Sequence, residues 1–197
     1  MMKKIFYALI FMLMLHGCAL RHESIDKSEN LILKDDGNLK GDFKKTDKIL
    51  KIRKADTPLY LNSRAIIYID RGFSNQYAYH FWADLPSNLY TSLLLAKFEK
   101  SEIFTTLLSQ NSSLGANFVL ESRINSFEQI LNKDENYAYI SISVNLIELE
   151  KNQIIAHKIF SVQEKIEKNN MPSLYNAFNK ALNQLSKSIV FWVNAHL

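Results

Sequence analysis

The sequence predicts an α+β domain of two layers, in which a mainly antiparallel sheet carries two main helices packed on one face. Three stretches predict it. Over Ala138–Leu146, apolar and polar residues alternate for nine positions, as in a strand with one buried face. Over Leu85–Ala96 and Leu174–His196, apolar residues recur every three or four positions, which is the period of an amphipathic helix. Since helices flank a strand-rich region, we expect them to cover one face of a single sheet.

The first 17 residues have the pattern of an export signal. Lys3 and Lys4 precede an apolar run of about 11 residues, Ile5–Leu15. A helix that crosses a bilayer needs about 20 apolar residues, so the run predicts a cleaved signal peptide and not a membrane span. Cleavage is predicted between Gly17 and Cys18.

Cys18 is the single cysteine of the chain, and an unpaired thiol in an exported protein calls for an explanation. With Leu15 and Gly17 it resembles the lipobox of bacterial lipoproteins, in which signal cleavage exposes an acylated N-terminal cysteine. Several acyl chains hold a protein on a membrane almost permanently, so we expect a lipid-anchored protein on the periplasmic face of a membrane. Ala19 follows the cysteine, whereas Asp there resembles an inner-membrane retention signal, so the outer membrane is favoured. The alternative is an ordinary signal peptide followed by an incidental cysteine.

Composition limits what the mature chain can be. Removing residues 1–17 from the 197-residue chain leaves 180, which suits one domain and a tether. The formal charge of +4 includes Lys3 and Lys4, so the mature chain carries only +2. That excess argues against nucleic acid as a partner, because nucleic-acid binding needs a concentrated basic face. With 47% hydrophobic residues, the chain is expected to fold by burial alone.

Residues 18–45 are predicted to be the acylated cysteine and a polar tether, and residues 46–197 to be the folded domain. The tether contains Gly37 and Gly41 and one apolar cluster, Leu31–Leu33. As a flexible coil it would span about 30 Å. The cluster could instead form a short strand or contact a partner.

The domain is predicted to begin with three strands and a helix. The strands are placed at Ile49–Ala55, Ala65–Asp70 and Gln76–Phe81, and the last two form a hairpin. Asp84 is predicted to cap the helix, with Pro86 in its first turn and its end near Lys100. The apolar residues that follow are expected to extend its buried surface up to a loop at residues 109–117: Ile103, Phe104, Leu107 and Leu108.

The second half is predicted to contain three strands and a long helix. The strands are placed at Phe118–Asn125, Ala138–Leu146 and Ile154–Val162, with hairpin loops at residues 132–136 and 150–153. Pro172 opens the helix. Its polar side is predicted to carry Asn176, Asn179, Lys180, Asn183 and Lys187.

No pattern in the chain predicts catalysis, a cofactor or a metal. Five histidines are present, and none has the spacing of a metal-ligand pair: His16, His22, His80, His157 and His196. Four acidic residues could supply a general acid and a general base, but nothing in the sequence places two of them at the separation that catalysis requires: Glu121, Glu128, Asp134 and Glu135. Glycine-rich phosphate loops are missing from the sequence as well.

An aromatic group is denser than the rest of the chain: Tyr77, Tyr79, Phe81 and Trp82. One interpretation is packing in the core and at the helix entry. The other is an exposed patch that contacts a protein partner or lipid, which makes these four residues the candidate contact site.

The order of motifs resembles the ABC-type transport auxiliary lipoproteins, which include the paraquat-inducible protein C group. The resemblance covers residues 46–195. It rests on the lipobox, on Trp82-Ala83-Asp84-Leu85-Pro86 entering a helix, on Ser101–Phe104, on Ala116–Leu120, on Ile124–Glu128, and on a final helix that ends in Ile189-Val190-Phe191-Trp192. The family more often has Glu where Asp84 stands, and its tether is usually shorter.

The resemblance implies a noncatalytic subunit that accompanies an ATPase, a permease and an MCE-domain protein in lipid transport between the inner and outer membranes. Some members resemble ring-forming docking elements, so a homo-oligomer is implied as well. Two other functions are compatible with the same anchor and fold. One is an assembly lipoprotein that supports an outer-membrane β-barrel, and the other is a carrier that binds lipid directly.

Overall fold

The computed structural model describes residues 29–132 and 135–197, which form eight strands and two α-helices. The strands are β1 (Glu29–Leu31), β2 (Thr46–Ile52), β3 (Ala65–Asp70), β4 (Phe73–Trp82), β5 (Phe104–Ser109), β6 (Phe118–Leu131), β7 (Asn136–Glu148) and β8 (Gln153–Lys165). The helices are α1 (Pro86–Ser101) and α2 (Met171–Asn194), and a 3-10 turn covers Leu59–Leu61.

The long strand β6 organises the sheet. Along one side it pairs antiparallel with β7, and β7 pairs antiparallel with β8. Along the other side, the first part of β6 pairs with β2 and the last part with β3, both parallel. β5 extends the sheet beyond β2, and β4 and then β1 extend it beyond β3. Two different strands, β2 and β3, therefore pair with the same side of β6, each with a different part of it.

We name the two ends of the sheet by what connects the strands there. The turn end carries the β3–β4 turn at Arg71-Gly72, the β6–β7 connection and the β8–α2 connection. The loop end carries the loop at residues 110–117 and the β7–β8 turn at residues 149–152. β6 runs from the loop end to the turn end, and at about 3.3 Å per residue it is roughly 43 Å long.

The predicted α+β class is confirmed, and the sheet is mixed. The longest pairings, of β7 with β6 and with β8, are antiparallel. The pairings of β2 with β5 and of β2 and β3 with β6 are parallel, because α1 or a long connection returns the chain to its starting side. The core lies between the sheet and the helices, with Trp82, Phe127 and Phe178 in mutual aromatic contact at its centre.

Several elements differ from the prediction. β5 was expected only as buried surface following α1, yet it is a strand with Phe104 and Leu108 buried. β6 continues beyond its predicted end at Asn125 to Leu131. The prediction ended too early because a bulge between Ile124 and Ser126 shifts the alternation of apolar and polar residues. The period-two pattern that indicates a strand is broken at that point.

The prediction that Asp84 caps α1 is wrong. The N-cap residue is Leu85, whose ψ of 141° is extended. A residue before proline is disfavoured in the helical region, so Pro86 moves the boundary to Leu85. Asp84 instead accepts hydrogen bonds through Oδ1 from the Leu85 amide at 2.7 Å and from Asn88 Nδ2 at 2.9 Å.

Helix α2 packs the predicted apolar stripe against the sheet. Leu174, Phe178, Ala181, Leu185 and Ile189 are buried, whereas Trp192 is half-buried and His196 is exposed. Asn170 caps the helix by accepting a hydrogen bond from the Ser173 amide at 2.9 Å. Asn183, which was predicted on the solvated side, is buried.

For Glu29–Lys45 the structure differs from the predicted tether. This segment, which we call the N-terminal strap, packs on the domain. The short-strand alternative is what the structure has: β1 pairs with β4, and Leu33 is in the core. The limits of the signal peptide, the tether and the domain remain predictions, and residues 1–28 lie outside the described residues.

The strap is held because side-chain amides of α2 form hydrogen bonds with backbone groups of the strap. Asn179 accepts from the Lys34 amide at 2.8 Å, and Asn183 accepts from the Asp36 amide at 3.0 Å. Asn183 Nδ2 also donates to the Lys34 carbonyl at 2.8 Å. At Gly41 an added Cβ would meet the Phe191 ring at 2.7 Å, so the strap approaches α2 more closely there than a side chain allows. The sequence pattern of α2 shows Asn179 and Asn183 as polar side chains but not the segment that they bind.

Candidate anchoring and partner-binding surfaces

A buried lysine joins the strap to α1. The side chain of Lys97 is fully buried, and its Nζ lies 2.7 Å from Asp35 Oδ1 and 2.5 Å from Asp36 Oδ1. Lys100, which is partly exposed, also pairs with Asp35. Asp35 Oδ1 has no partner with good hydrogen-bond geometry among the described residues, so its contact with Lys97 is chiefly ionic. Lysine is rarely buried without paired charges, so these two aspartates are what allow Lys97 to lie inside.

The two aspartates are held in their ionised form. Burial alone would raise the pKa of Asp35, but the ammonium groups of Lys100 and Lys97 outweigh it and leave this pKa below the ordinary value. Burial and the ammonium group of Lys97 act on the pKa of Asp36 in the same way, with the same net lowering. A lowered pKa stabilises the fold above the pKa of the unfolded chain, so the cluster is intact at neutral pH and weakens below about pH 4.

The structure separates the four aromatic residues predicted as a contact site. Trp82 is fully buried and packs edge-to-face on Phe127 and Phe178, so it belongs to the core. Tyr77 is half-buried, and its hydroxyl donates to Gln129 Oε1 at 2.6 Å. Burial raises the pKa of Tyr77. Phe81 is partly buried, and Tyr79 is 61% exposed. Of the four, Tyr79 remains free to contact a partner.

At the turn end, the sequence interpretation missed Phe73, which is 71% exposed. It follows the turn at Arg71 and Gly72, both of which have positive φ. An Arg-Gly pair followed at once by an aromatic residue is the signal that could have indicated it. We call Phe73, with the Arg71-Gly72 turn that precedes it, the turn-end surface; Tyr79 lies six residues further along β4, near the level of Glu29. A groove of about 610 Å³ that Tyr68, Tyr77 and Leu131 help to line lies beside it.

At the loop end, three exposed aliphatic side chains form what we call the loop-end surface. Leu114 is 63% exposed, Leu149 42% and Ile154 57%. The backbone beneath them is held, since Lys51 Nζ donates to the Ser112 carbonyl at 3.1 Å and to the Leu114 carbonyl at 2.8 Å. The amide of Leu149 donates to the Asn117 carbonyl at 2.9 Å. These apolar groups are therefore presented on an ordered backbone.

The sheet has two long outer strands. Within the described ranges, β8 pairs only with β7, and β5 pairs only with β2. Ile159 of β8 is 57% exposed. Unpaired strand edges offer rows of backbone donors and acceptors to another chain.

The three histidines among the described residues lie in different parts of the fold. His157 Nδ1 is 2.7 Å from Asn145 Oδ1 on the sheet, and His196 Nδ1 is 2.7 Å from the Trp192 carbonyl on α2. His80 is partly buried on β4. No group of three or more side chains that could hold a metal occurs in the part of the chain that the structure describes. His16 and His22 lie outside that part.

The acidic candidates are separated too. Glu121 pairs with Arg53, and Glu135 pairs with Lys165 at 3.5 Å. Glu128 is buried, accepts from the Phe127 amide at 2.7 Å, and has a pKa raised by burial. Glu121 and Glu128 are seven residues apart on one strand, or about 23 Å. Asp134 lies outside the described residues.

No helix among the described residues is long and apolar enough to cross a membrane. The predicted lipidation and cleavage residues, Gly17 and Cys18, lie outside the described residues. Both remain predictions.

The sequence matches the family model described as "ABC-type transport auxiliary lipoprotein component" over residues 40–190. The chain belongs to this family. The family match begins inside the strap and ends within α2, so it covers Asn179 and Asn183 of α2 but not Lys34 and Asp36, the strap residues that they bind. No curated protein matches the chain in sequence.

Solved structures share the fold of this family member. Protein XCC0632 from Xanthomonas campestris is 16% identical, with coverage of 85% of this chain and 95% of that one and a TM-score of 0.79. Protein CT253 from Chlamydia trachomatis is 10% identical, with coverage of 77% and 98% and a TM-score of 0.55. The PelC dodecamer from Paraburkholderia phytofirmans is 8% identical, with coverage of 77% and 91% and a TM-score of 0.51. At these identities the similarity shows the fold alone.

Proposed function

We propose that this protein is a noncatalytic, lipid-anchored periplasmic subunit of an ABC-type intermembrane lipid transport system of the MCE or Mla kind. It docks or stabilises the MCE-domain component, while the ATPase supplies the energy and the permease the membrane path. The observation that carries this proposal is the match of residues 40–190 to the transport auxiliary lipoproteins. The anchor is the predicted acylated Cys18, on the outer membrane in preference to the inner.

The geometry supports a docking role. The strap ties the segment nearest the anchor to both helices through Lys97 and the Asn side chains of α2. A pull on the anchor is therefore transmitted to the whole domain. The loop-end surface presents Leu114, Leu149 and Ile154 on a held backbone, and exposed aliphatic groups of this kind become stabilising when a partner covers them.

The loop-end surface gives the first testable prediction. Changing Leu114, Leu149 and Ile154 together to Ser should reduce recovery of the MCE-domain protein by tenfold or more, since each buried aliphatic side chain contributes about 1.5 kcal/mol or more. The measurement is affinity purification of the tagged, acylated protein from detergent-solubilised native membranes. The matched control is Leu59→Ser, because Leu59 is 89% exposed and lies in the β2–β3 connection, away from this surface.

Other results would select other functions. Wild-type protein that recovers no MCE, permease or ATPase subunit contradicts the proposal. Crosslinks to an outer-membrane β-barrel would favour the assembly lipoprotein, and phospholipid retained in native mass spectra would favour a direct carrier. The groove beside the turn-end surface is where bound lipid would be sought.

We also propose that the protein is a homo-oligomer in which the edge of β8 in one copy meets the edge of β5 in the next. The two edges differ, so the contact is head-to-tail and closes into a ring when the rotation allows. The PelC dodecamer shows that a chain of similar fold assembles, and the unpaired edges supply a route for this chain.

A second prediction tests this contact. Ile159→Lys places a charge on the exposed side of β8 and should convert the oligomer to monomer in native mass spectra. Leu59→Ser is the control and should keep the oligomer. A wild-type protein that is monomeric at every concentration, or an oligomer unaffected by Ile159→Lys, contradicts the proposed contact.

A further inference from the structure

We propose that the turn end of the domain rests on the surface of the bilayer that holds Cys18, with Phe73 in the membrane interface. This inference rests on the acyl anchor of the proposed function and goes beyond it, since it assigns an orientation and a lipid-contact surface. The occupant is phospholipid, not a protein.

The direction in which the chain enters the domain indicates which end lies nearer the anchor. β1 runs parallel to β4, with Glu29 opposite His80 and Leu31 opposite Trp82. The axis of β1, extended backwards from Glu29, therefore follows β4 towards Phe73. β4 begins at the turn end, so the anchored side of the chain approaches from that end.

The length of chain between the anchor and Glu29 carries the second step. Eleven residue steps separate Cys18 from Glu29 and reach at most about 40 Å when fully extended. Glu29 is opposite His80 of β4, and the next residue of β4, Phe81, pairs with Ala65 of β3. Ile67, two residues further along β3, pairs with Glu128 of β6. Glu29 therefore lies near the level of residues 126–128 of β6. The end of β6 at Leu131 is then only about 10 to 17 Å away, which is well within reach.

Placing the loop end at the membrane would require nearly the full extended length of the segment between Cys18 and Glu29. From that level to Phe118 is about 26 to 33 Å along β6, and β2 extends the sheet further, since Thr46 lies four residues before Leu50, which pairs with Phe118. Holding those eleven steps close to full extension costs conformational entropy at every residue. The turn end is therefore the end held at the membrane, and the loop end faces away from it.

The side chains at the turn end suit a membrane interface. Phe73 is 71% exposed, and aromatic side chains are favoured where apolar chains meet headgroups. Two of the nearby cations are neutralised, since Arg71 pairs with Asp70 at 3.3 Å and Lys165 with Glu135 at 3.5 Å. The contact thus depends on Phe73, and phospholipid without net charge is sufficient.

The experiment places a tryptophan at each end of the acylated full-length protein. Phe73→Trp reports the turn end and Leu114→Trp the loop end; both positions are exposed, so the fold is preserved. The proteins are reconstituted in phosphatidylcholine vesicles with brominated acyl chains, which quench nearby tryptophan. The native Trp82 and Trp192 give the same background in both variants.

We expect the added fluorescence of Phe73→Trp to fall by half or more, and that of Leu114→Trp to be unchanged. Vesicle flotation is measured first. Protein that floats but shows equal quenching at both ends, or stronger quenching at Leu114→Trp, overturns the orientation and leaves the docking function standing. Protein that does not float overturns the acyl anchor and with it this inference.

Discussion

Changing Cys18 to Ser is expected to move nearly all of the protein from the membrane fraction to the soluble fraction. The reason is that each buried methylene contributes about 0.8 kcal/mol, so two or more acyl chains make release negligible and their loss makes attachment negligible. The measurement is fractionation of cells, with the wild-type membrane fraction washed in high salt and in carbonate. Mass spectrometry of the mature N-terminus provides the matching chemical readout.

The control separates the anchor from the fold. The Cys18→Ser protein should keep the thermal unfolding midpoint of the wild-type domain in detergent, because position 18 lies before the strap. If the wild-type N-terminus carries a free thiol, or if Cys18→Ser still sediments with membranes after both washes, the acyl anchor is contradicted. The orientation of the turn end would then have no basis either.

Changing Lys97 to Met is expected to lower the free energy of unfolding by about 3 kcal/mol or more. Met keeps the aliphatic length of the side chain and removes its charge, so Asp35 and Asp36 lose their buried partner. Removing one member of a buried ion pair typically costs about 3 to 5 kcal/mol, because the remaining charge is left uncompensated. The measurement is urea unfolding of the soluble Cys18→Ser protein, with hydrogen exchange over Glu29–Lys45 as a local readout.

Lys100→Met is the matched control for Lys97→Met. Lys100 pairs with the same Asp35, but 44% of its side chain is exposed, so its loss should cost less than about 1 kcal/mol. Acid should reproduce part of the Lys97→Met effect: the lowered pKa values of Asp35 and Asp36 mean that their contribution is present above about pH 4 and is lost as pH falls further. Equal costs for the two lysines, with a strap that remains protected, would show that the cluster does not hold the strap.

Local patterns predicted most of the domain. The alternation over Ala138–Leu146 falls in β7, and the stripe from Leu174 to Ile189 is the buried face of α2. The Arg71-Gly72 turn joins β3 and β4 as predicted. These features depend on contacts between neighbours in sequence or on a single periodic face, and a single sequence displays both. The bulge after Ile124 hid the end of β6 because it changes which residues face the core.

The candidate site was less accessible to sequence reasoning. The sequence does not distinguish the four members of the aromatic group, Tyr77, Tyr79, Phe81 and Trp82. In the structure, Trp82 is buried in the core and Tyr79 is exposed. Phe73 was overlooked because exposure at a hairpin tip depends on how far the neighbouring strands extend. The loop-end surface combines Leu114 of one connection with Leu149 of the β7–β8 turn and Ile154 of β8, which lie more than 30 residues further along the chain.

The sequence by itself determined the α+β class, the hairpins, the two helices and membership of the transport auxiliary lipoproteins, because these follow from periodicity, turn residues and motif order. The tertiary structure decided that Glu29–Lys45 is a strap and not a tether. Its polar residues are satisfied by Lys97 of α1 and by Asn179 and Asn183 of α2, which are 59 to 149 residues away. A polar segment exposed to solvent and one bound by distant polar partners have the same composition. Only the packing of the helices distinguishes them.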